Sequence, residues 1–118
     1  YAVSAEQCGA LLRTVQYSPQ WIASALKPAY ALTEEAVGAL LKSIGMAPND
    51  IARALRGAFD WSAKKTANFF HDTLDIGDQT TKKALEAAEY STNEIKDAMK
   101  DAYGWTESMW DSFVDLFT

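Results

Sequence analysis

The chain has a single cysteine, Cys8, and a single histidine, His71, so it can form no internal disulfide and lacks the Cys and His sets of the usual zinc sites. It has only three prolines, and no apolar run approaches the roughly 20 residues that a membrane-spanning helix needs. Basic residues are outnumbered, 11 to 16, for a net charge of -5. This balance argues against nucleic acid as a partner, because affinity for phosphates depends on Lys and Arg.

The composition is that of a folded domain. Of 118 residues, 48% are hydrophobic and 23% are charged, which lies in the globular range. A chain of this length has room for one ordinary core. We therefore predict a single domain over residues 1–118.

A unit of 14 to 15 residues recurs along the whole chain. Most units begin with a residue that can cap a helix, and nearly all end with a large apolar one. The eight units begin at Ser4, Ser18, Thr33, Ala47, Ser62, Gly77, Ser91 and Thr106. The first three residues, Tyr-Ala-Val, parallel the Tyr-Ala-Leu that ends the second unit, so we expect the chain to be part of a longer array.

Each unit is expected to form one short helix followed by a tight turn. Ser and Thr hydroxyls at the unit starts can accept from amides that a helix leaves unpaired. Ser91 with Glu94 has the spacing of a capping box, and Trp105 with Trp110 has that of a hydrophobic staple. Gly45 and Gly104 fit left-handed helix ends, and Pro28 is expected to end or kink the second helix near residue 27.

These units predict an all-α fold. Apolar residues recur at helical spacing, and helices of about ten residues must bury their apolar stripe on neighbours to be stable. We expect consecutive helices to pair antiparallel, giving an α-solenoid-like or compact, curled helical array. A globular bundle whose similar helices merely share good caps is the alternative.

Motifs for catalysis are few. Residues 71–78, HDTLDIGD, bring one imidazole and three carboxylates together, but their spacing is not that of a calcium loop. A structural role is favoured, with Asp78 capping the sixth helix and His71 near the end of the fifth. Cys8 lies four units from His71 in an apolar position, so it is expected to pack rather than act as a nucleophile. We predict no enzymatic activity, no metal site and no cofactor. An enzyme that uses residues 71–78 remains the third functional alternative.

Charge is distributed unevenly between the two halves. Residues 1–58 carry five basic and four acidic groups, net +1, whereas residues 59–118 carry six and twelve, net -6. Such a gradient can orient partners or copies of the chain. Lys64-Lys65 in the fifth unit and Lys82-Lys83 in the sixth form either a basic patch or ordinary solvated faces.

Aromatic residues provide the candidate binding site. The last unit is richer in apolar side chains than one narrow stripe requires, so it forms either an exposed sticky face or a segment folded back on the core. The predicted partner-binding residues are an apolar anchor at this end with a second group at the other; they are Trp105, Trp110, Phe113, Phe117, Trp21 and Tyr30.

The pattern from Leu32 to Lys42, LTEEAVGALLK, resembles short tandem helical repeats at the ends of some larger secreted microbial proteins. That resemblance implies an extracellular or cell-surface location. The pair length is also similar to helical repeats of transcription-terminator-like proteins that read nucleic acid, a function that the acidic balance opposes. The leading hypothesis is a non-enzymatic interaction or assembly module that binds a protein partner or other copies of itself. The alternative is a membrane-active or apolar-ligand-binding module of a secreted toxin-like protein, although acidic residues in the last unit oppose binding to anionic lipid.

Overall fold

The computed structural model describes residues 4–14 and 18–115, and these form helices and short turns without a strand. The all-α prediction is confirmed. The helices are α1 (Ala5–Thr14), α2 (Pro19–Ala29), α3 (Glu34–Ser43), α4 (Pro48–Phe59), α5 (Ala63–Asp72), α6 (Asp78–Ala87), α7 (Thr92–Tyr103) and α8 (Glu107–Asp115). The molecule measures 55 × 23 × 21 Å along its principal axes.

Every helix begins one residue after the first residue of a sequence unit. Six of these preceding residues accept a hydrogen bond from a backbone amide three positions later, namely Ser4, Ser18, Thr33, Ser62, Ser91 and Thr106. Ser91 and Glu94 complete the predicted capping box. Ala47 and Gly77 occupy the same position without a side-chain bond. In α6 the carboxylate of Asp78 instead accepts from the amide of Gln79 at 2.7 Å.

Two positions in each unit form the centre of the core. The fourth residue after the cap is buried in seven helices, as Ile22, Val37, Ile51, Thr66, Thr81, Ile95 and Trp110. The eighth is buried in six, as Leu26, Leu41, Leu55, Phe70, Leu85 and Met99. Because positions four apart share one face of a helix, this spacing directs a single stripe of each helix inward.

The helices form two layers, and the most extensive contacts join alternate helices rather than consecutive ones. In one layer α2 packs on α4 and α4 on α6. In the other layer α1 packs on α3 and α5 on α7. Consecutive helices touch from α1 to α4 and from α5 to α7, and α1 contacts α2 more extensively than it contacts α3.

Small residues permit close approach within the second layer. A Cβ atom added to Gly38 of α3 would lie 2.6 Å from Cε2 of Phe69 in α5. A Cβ added to Gly9 of α1 would lie 3.2 Å from Cδ2 of Leu40 in α3. Both glycines are the fifth residue after their caps, and Leu40 and Phe69 are each the seventh. In both pairs, a large side chain at the seventh position after the cap therefore packs against a glycine of the preceding helix in the same layer.

The helix ends agree with the sequence in one respect and differ in another. Gly104 ends α7 in the left-handed conformation, at φ 67°, and Gly45 also has a positive φ. Pro28, in contrast, does not end α2 near residue 27, because the helix continues to Ala29. A proline this near the C-terminal end removes a single intrahelical hydrogen bond and leaves no long segment to misalign.

Candidate interaction surface

Among the described residues, three large apolar side chains are exposed. They are Leu11 on α1, Trp21 on α2 and Met109 on α8, which are 61%, 48% and 37% exposed. Leu11 lies in a shallow groove of about 390 Å³, lined also by Gln7, Ala10 and Thr14. These four residues, the α1 face, are spaced i, i+3, i+4 and i+7, and none is charged. An uncharged, exposed stripe at this spacing has the form of a helix-packing surface.

The place of Leu11 in its unit shows which direction the α1 face points. Leu11 is the seventh residue after the cap Ser4, as Leu40 and Phe69 are after theirs. Those two side chains contact the preceding helix of their layer, at Gly9 and Gly38. Leu11 has the same register, but no described helix lies before α1 to receive it. Its exposure is the result.

Trp21 in α2 also points toward the end of the molecule at which α1 lies. It is the third residue after its cap, as Lys65 is in α5. Lys65 reaches back to α3, where its Nζ lies 3.6 Å from Glu35 Oε1 and 3.9 Å from Glu34 Oε1. The register therefore directs Trp21 toward the same end of the molecule as Leu11, and α2 packs against α1.

Tyr30, predicted to join Trp21, is only partly buried and packs against the core. Burial is the main cause that raises the pKa of its phenol, and a hydrogen bond with Cys8 raises the pKa further. Cys8 is itself partly buried and lies against the core, in the packing position that the sequence predicts. Tyr30 therefore links α1 to the end of α2.

The predicted apolar anchor at the other end is packed inward where the structure describes it. Trp105 is 3% exposed, and its indole Nε1 donates to Asp78 Oδ2 at 3.1 Å. Trp110 is buried beside it, with ring centroids 6.2 Å apart, which is the predicted staple. Neither ring therefore offers an open surface. Phe113 is described only by its place in α8, and Phe117 lies outside the described residues.

A small cavity of about 160 Å³ lies between α7 and α8, lined by Trp105, Trp110 and charged or polar groups. Lys96 Nζ at its rim lies 2.6 Å from Glu107 Oε2. This hydrogen-bonded ion pair raises the pKa of Lys96. The pair offsets the charge of Lys96, and Lys100 is a second cation in the lining of the cavity.

In the segment from His71 to Asp78, both end residues make contacts within the protein. His71 Nδ1 lies 2.7 Å from Asp72 Oδ1, and its ring contacts Tyr103 edge to face. Asp78 is the first residue of α6 rather than its cap, which corrects the sequence prediction; Gly77 precedes the helix. Residues 4–14 and 18–115 hold no group of three or more His, Cys, Asp or Glu that could ligate a metal ion.

Two of the four lysines that were candidates for a basic patch, Lys65 and Lys82, are held in ion pairs. Lys82 is buried, 2.5 Å from Glu86 Oε1, and its ammonium lies 5.6 Å from the centre of the Trp110 ring. Lys65 pairs with the carboxylates of α3.

Trp61 makes a contact that the sequence did not predict. Its Nε1 donates to Glu34 Oε1 at 2.7 Å, and Lys27 Nζ lies 3.4 Å from Glu34 Oε2. The indole hydrogen bond is the largest influence on Glu34 and lowers its pKa, while partial burial opposes it and the two nearby lysines assist. The sequence contains a signal for this contact. Glu34 and Asp78, each the first residue of its helix, precede Trp61 and Trp105 by 27 positions.

Comparison with protein-family models, curated proteins and solved structures gives no match for this chain. No helix in the described ranges is long and apolar enough to cross a membrane. Leu11, the most exposed large apolar residue among those described, has no feature within its own unit that distinguishes it from a buried stripe residue. Comparison between units supplies one signal, because the seventh residue after the cap is also large in the third and fifth units.

Proposed function

We propose that this chain is a non-enzymatic helical-repeat module whose α1 face, together with Trp21 on the adjacent helix, binds a protein partner or another copy of the chain. The observation that carries the proposal is the exposure of Leu11 at a register position whose counterparts, Leu40 and Phe69, pack on a preceding helix. An exposed side chain with this register is expected where one more helix would continue the layer.

The layered contacts support an array of repeats as the architecture. Alternate helices contact each other in four pairs, α1–α3, α2–α4, α4–α6 and α5–α7, and hydrogen bonds from indole to carboxylate recur at a separation of 27 residues. The α1 face is uncharged, so it favours contact with another helix over contact with water.

The test measures how well a protein partner, or a soluble copy of the chain, binds to the immobilised, unaltered chain and to its variants Leu11→Asp and Trp21→Asp. Met109→Asp is the matched control at the other end. A captured protein is then purified and its affinity for the four chains is measured. Loss of binding with Leu11→Asp or Trp21→Asp, and not with Met109→Asp, supports the proposal. Binding that is unchanged by both Leu11→Asp and Trp21→Asp, or that is lost with Met109→Asp, contradicts the proposal.

A membrane-active or apolar-ligand module is the second candidate, and the half-exposed indole of Trp21 is the observation that favours it. Trp and Tyr side chains are enriched at the membrane interface. Co-sedimentation with neutral and anionic vesicles separates the two functions. Binding to vesicles that is lost in Trp21→Ser favours the membrane function, whereas no binding removes it.

A further inference from the structure

A groove of about 420 Å³ lies where the start of α2, the second half of α4 and the end of α6 meet. This α4–α6 groove is lined by two cations and two carboxylates, namely Arg53, Arg56, Asp60 and Glu89. Described helices lie before α2 and after α6 in the chain, so internal units form the groove. Its charges distinguish it from the α1 face, which has none.

The two arginines of the groove are bound to the end of α6. Arg53 Nε donates to the carbonyl of Ala87 at 3.2 Å, and Arg56 Nη1 donates to the carbonyl of Ala88 at 2.6 Å. The guanidinium carbon of Arg56 also lies 4.4 Å from the centre of the Tyr90 ring. The last carbonyls of a helix attract cations, which accounts for this placement. Because the two acceptors are consecutive residues, the guanidinium groups are held close to each other.

Both arginines keep N–H groups for a ligand. A guanidinium has five N–H donors, and the hydrogen bonds between described residues use three of the ten. Arg53 also pairs with Asp50, at 2.9 Å, whereas Arg56 is in none of the ion pairs between described side chains. Arg56 is partly buried. A partly buried guanidinium without a carboxylate partner can bind the carboxylate of a ligand.

The two carboxylates lie beyond the arginines along the groove. Asp60 follows the end of α4, seven residues after Arg53, which is about 10 Å along a helix axis. Glu89 likewise follows the two carbonyls that hold the arginines. Neither carboxylate is in an ion pair with a described side chain. The groove therefore has a cationic end and an anionic end, and Arg56 does not pair with Asp60 because it is bound to α6.

An amide group lies between the two charged ends. Gly57 is between Arg56 and Asp60 in the chain, and a Cβ added to it would lie 2.4 Å from Gln20 Oε1. The lack of a side chain at residue 57 therefore lets the Gln20 carboxamide lie against α4. None of the hydrogen bonds between described residues uses this carboxamide. It can donate to, and accept from, a peptide group in the groove.

We propose that the α4–α6 groove binds a short zwitterionic peptide, with the peptide carboxylate on Arg53 and Arg56 and the ammonium on Asp60 and Glu89. An extended chain spans at most about 3.3–3.6 Å per residue, so about three residues match the length of the groove between its charged ends. Ligands of a single sign are disfavoured, because one end of the groove repels them. This site is separate from the α1 face, so failure of either proposal leaves the other standing.

The test is titration of the whole chain with triglycine at low ionic strength, followed by NMR shifts of the backbone amides. Triglycine is expected to shift the amides of Gly57 and Glu89 until the site is saturated. Acetylation of its amino group removes one charge, and amidation of its carboxylate removes the other. Each change is expected to weaken binding about twofold to fivefold, the range for one exposed ion pair.

Variants test the two ends of the groove separately. Arg53→Gln and Asp60→Asn each remove one charge and should weaken triglycine binding by a similar factor. Asparagine tolerates the left-handed backbone of residue 60, at φ 55°, so Asp60→Asn should remain folded. Asp75→Asn is its matched control, because Asp75 has a φ of 52° and lies outside the groove. Lys64→Gln is the control for Arg53→Gln, because Lys64 is an exposed cation outside the groove.

Binding that is weakened by both blocked peptides and by Arg53→Gln and Asp60→Asn, but not by the two control variants, supports the inference. Three results would overturn it: no saturable shift at Gly57 and Glu89, a blocked peptide that binds as tightly as triglycine, or equal weakening by Asp60→Asn and Asp75→Asn. The urea midpoint of each variant confirms that a loss of binding is not a loss of folding.

Discussion

Trp61 and Glu34 are joined by a 2.7 Å hydrogen bond from the indole to the carboxylate, across 27 residues of sequence. Trp105 and Asp78 are joined in the same way, also across 27 residues, at 3.1 Å. In each pair the Trp immediately precedes the cap of one helix, and the acid is the first residue of the helix two units earlier. The same bond thus connects α5 to α3 and α8 to α6.

Replacing Trp61 with Phe should lower the free energy of unfolding by about 1.5–3 kcal/mol, the range for a hydrogen bond to a charged group. The ring of Phe keeps much of the apolar contact but cannot donate. Urea unfolding measures the difference. Glu35→Gln is the control, because Glu35 is exposed and its replacement should change stability by less than about 0.5 kcal/mol. Equal effects from the two substitutions would show that the indole bond contributes nothing special.

Glu34 should also make stability depend on pH. Its pKa is lowered in the folded protein, chiefly by the indole hydrogen bond. The folded state therefore binds fewer protons than the unfolded state as Glu34 titrates, and its stabilisation is complete above the ordinary carboxyl pKa. That stabilisation is lost as pH falls through the lowered pKa. The stability difference between the unaltered chain and Glu34→Gln should be largest near neutral pH and shrink in acid; a difference that is constant between neutral and strongly acidic pH contradicts this assignment.

Gly38→Ala should destabilise the protein by about 1–3 kcal/mol, because overpacking of a core has this effect. The new Cβ would meet the ring of Phe69 at 2.6 Å, and that ring is buried. Gly9→Ala is the matched control. Its Cβ would meet only methyl groups of Leu26, Leu40 and Ile44, at 3.2–3.3 Å, and the gain of about 1 kcal/mol in helix propensity offsets that. Thermal unfolding that shows Gly38→Ala no less stable than Gly9→Ala would refute the close approach of α3 and α5.

Ala47→Ser and Gly77→Ser should each stabilise the protein. Both positions have the extended backbone of a helix cap but lack a side-chain bond. A serine hydroxyl at residue 47 is worth about 1 kcal/mol over alanine, and one at residue 77 is worth a few tenths over glycine. Ser62→Ala is the reverse control, since it removes an existing cap and should cost about 1 kcal/mol. If Ala47→Ser lowers the unfolding midpoint, residue 47 is not a cap.

The helix boundaries could be predicted because they depend on local chemistry. Ser18, Thr33 and Ser62 cap helices in the structure as their positions in the units predict. The contacts between helices two units apart could not be predicted in the same way. The packing of Phe69 against Gly38 depends on how each helix is rotated about its axis within its layer, and the sequence of a single unit does not determine that rotation.

The candidate surface illustrates the same division. Trp110 was a reasonable anchor by composition, yet it packs inward beside Trp105 because the staple position points to the core. Leu11 belongs to an ordinary apolar stripe but is exposed, because its side chain lies on the side of α1 that faces away from α3. Exposure follows the place of a unit in the stack, which composition does not reveal.

The most direct measurement for the interaction account is the molar mass of the unaltered chain and of Leu11→Asp by light scattering over a hundredfold range of concentration. We predict that the mass of the unaltered chain rises above 13.0 kDa with concentration, while Leu11→Asp stays at 13.0 kDa. A mass that does not change with concentration, or that rises equally in both, would contradict self-association through the α1 face.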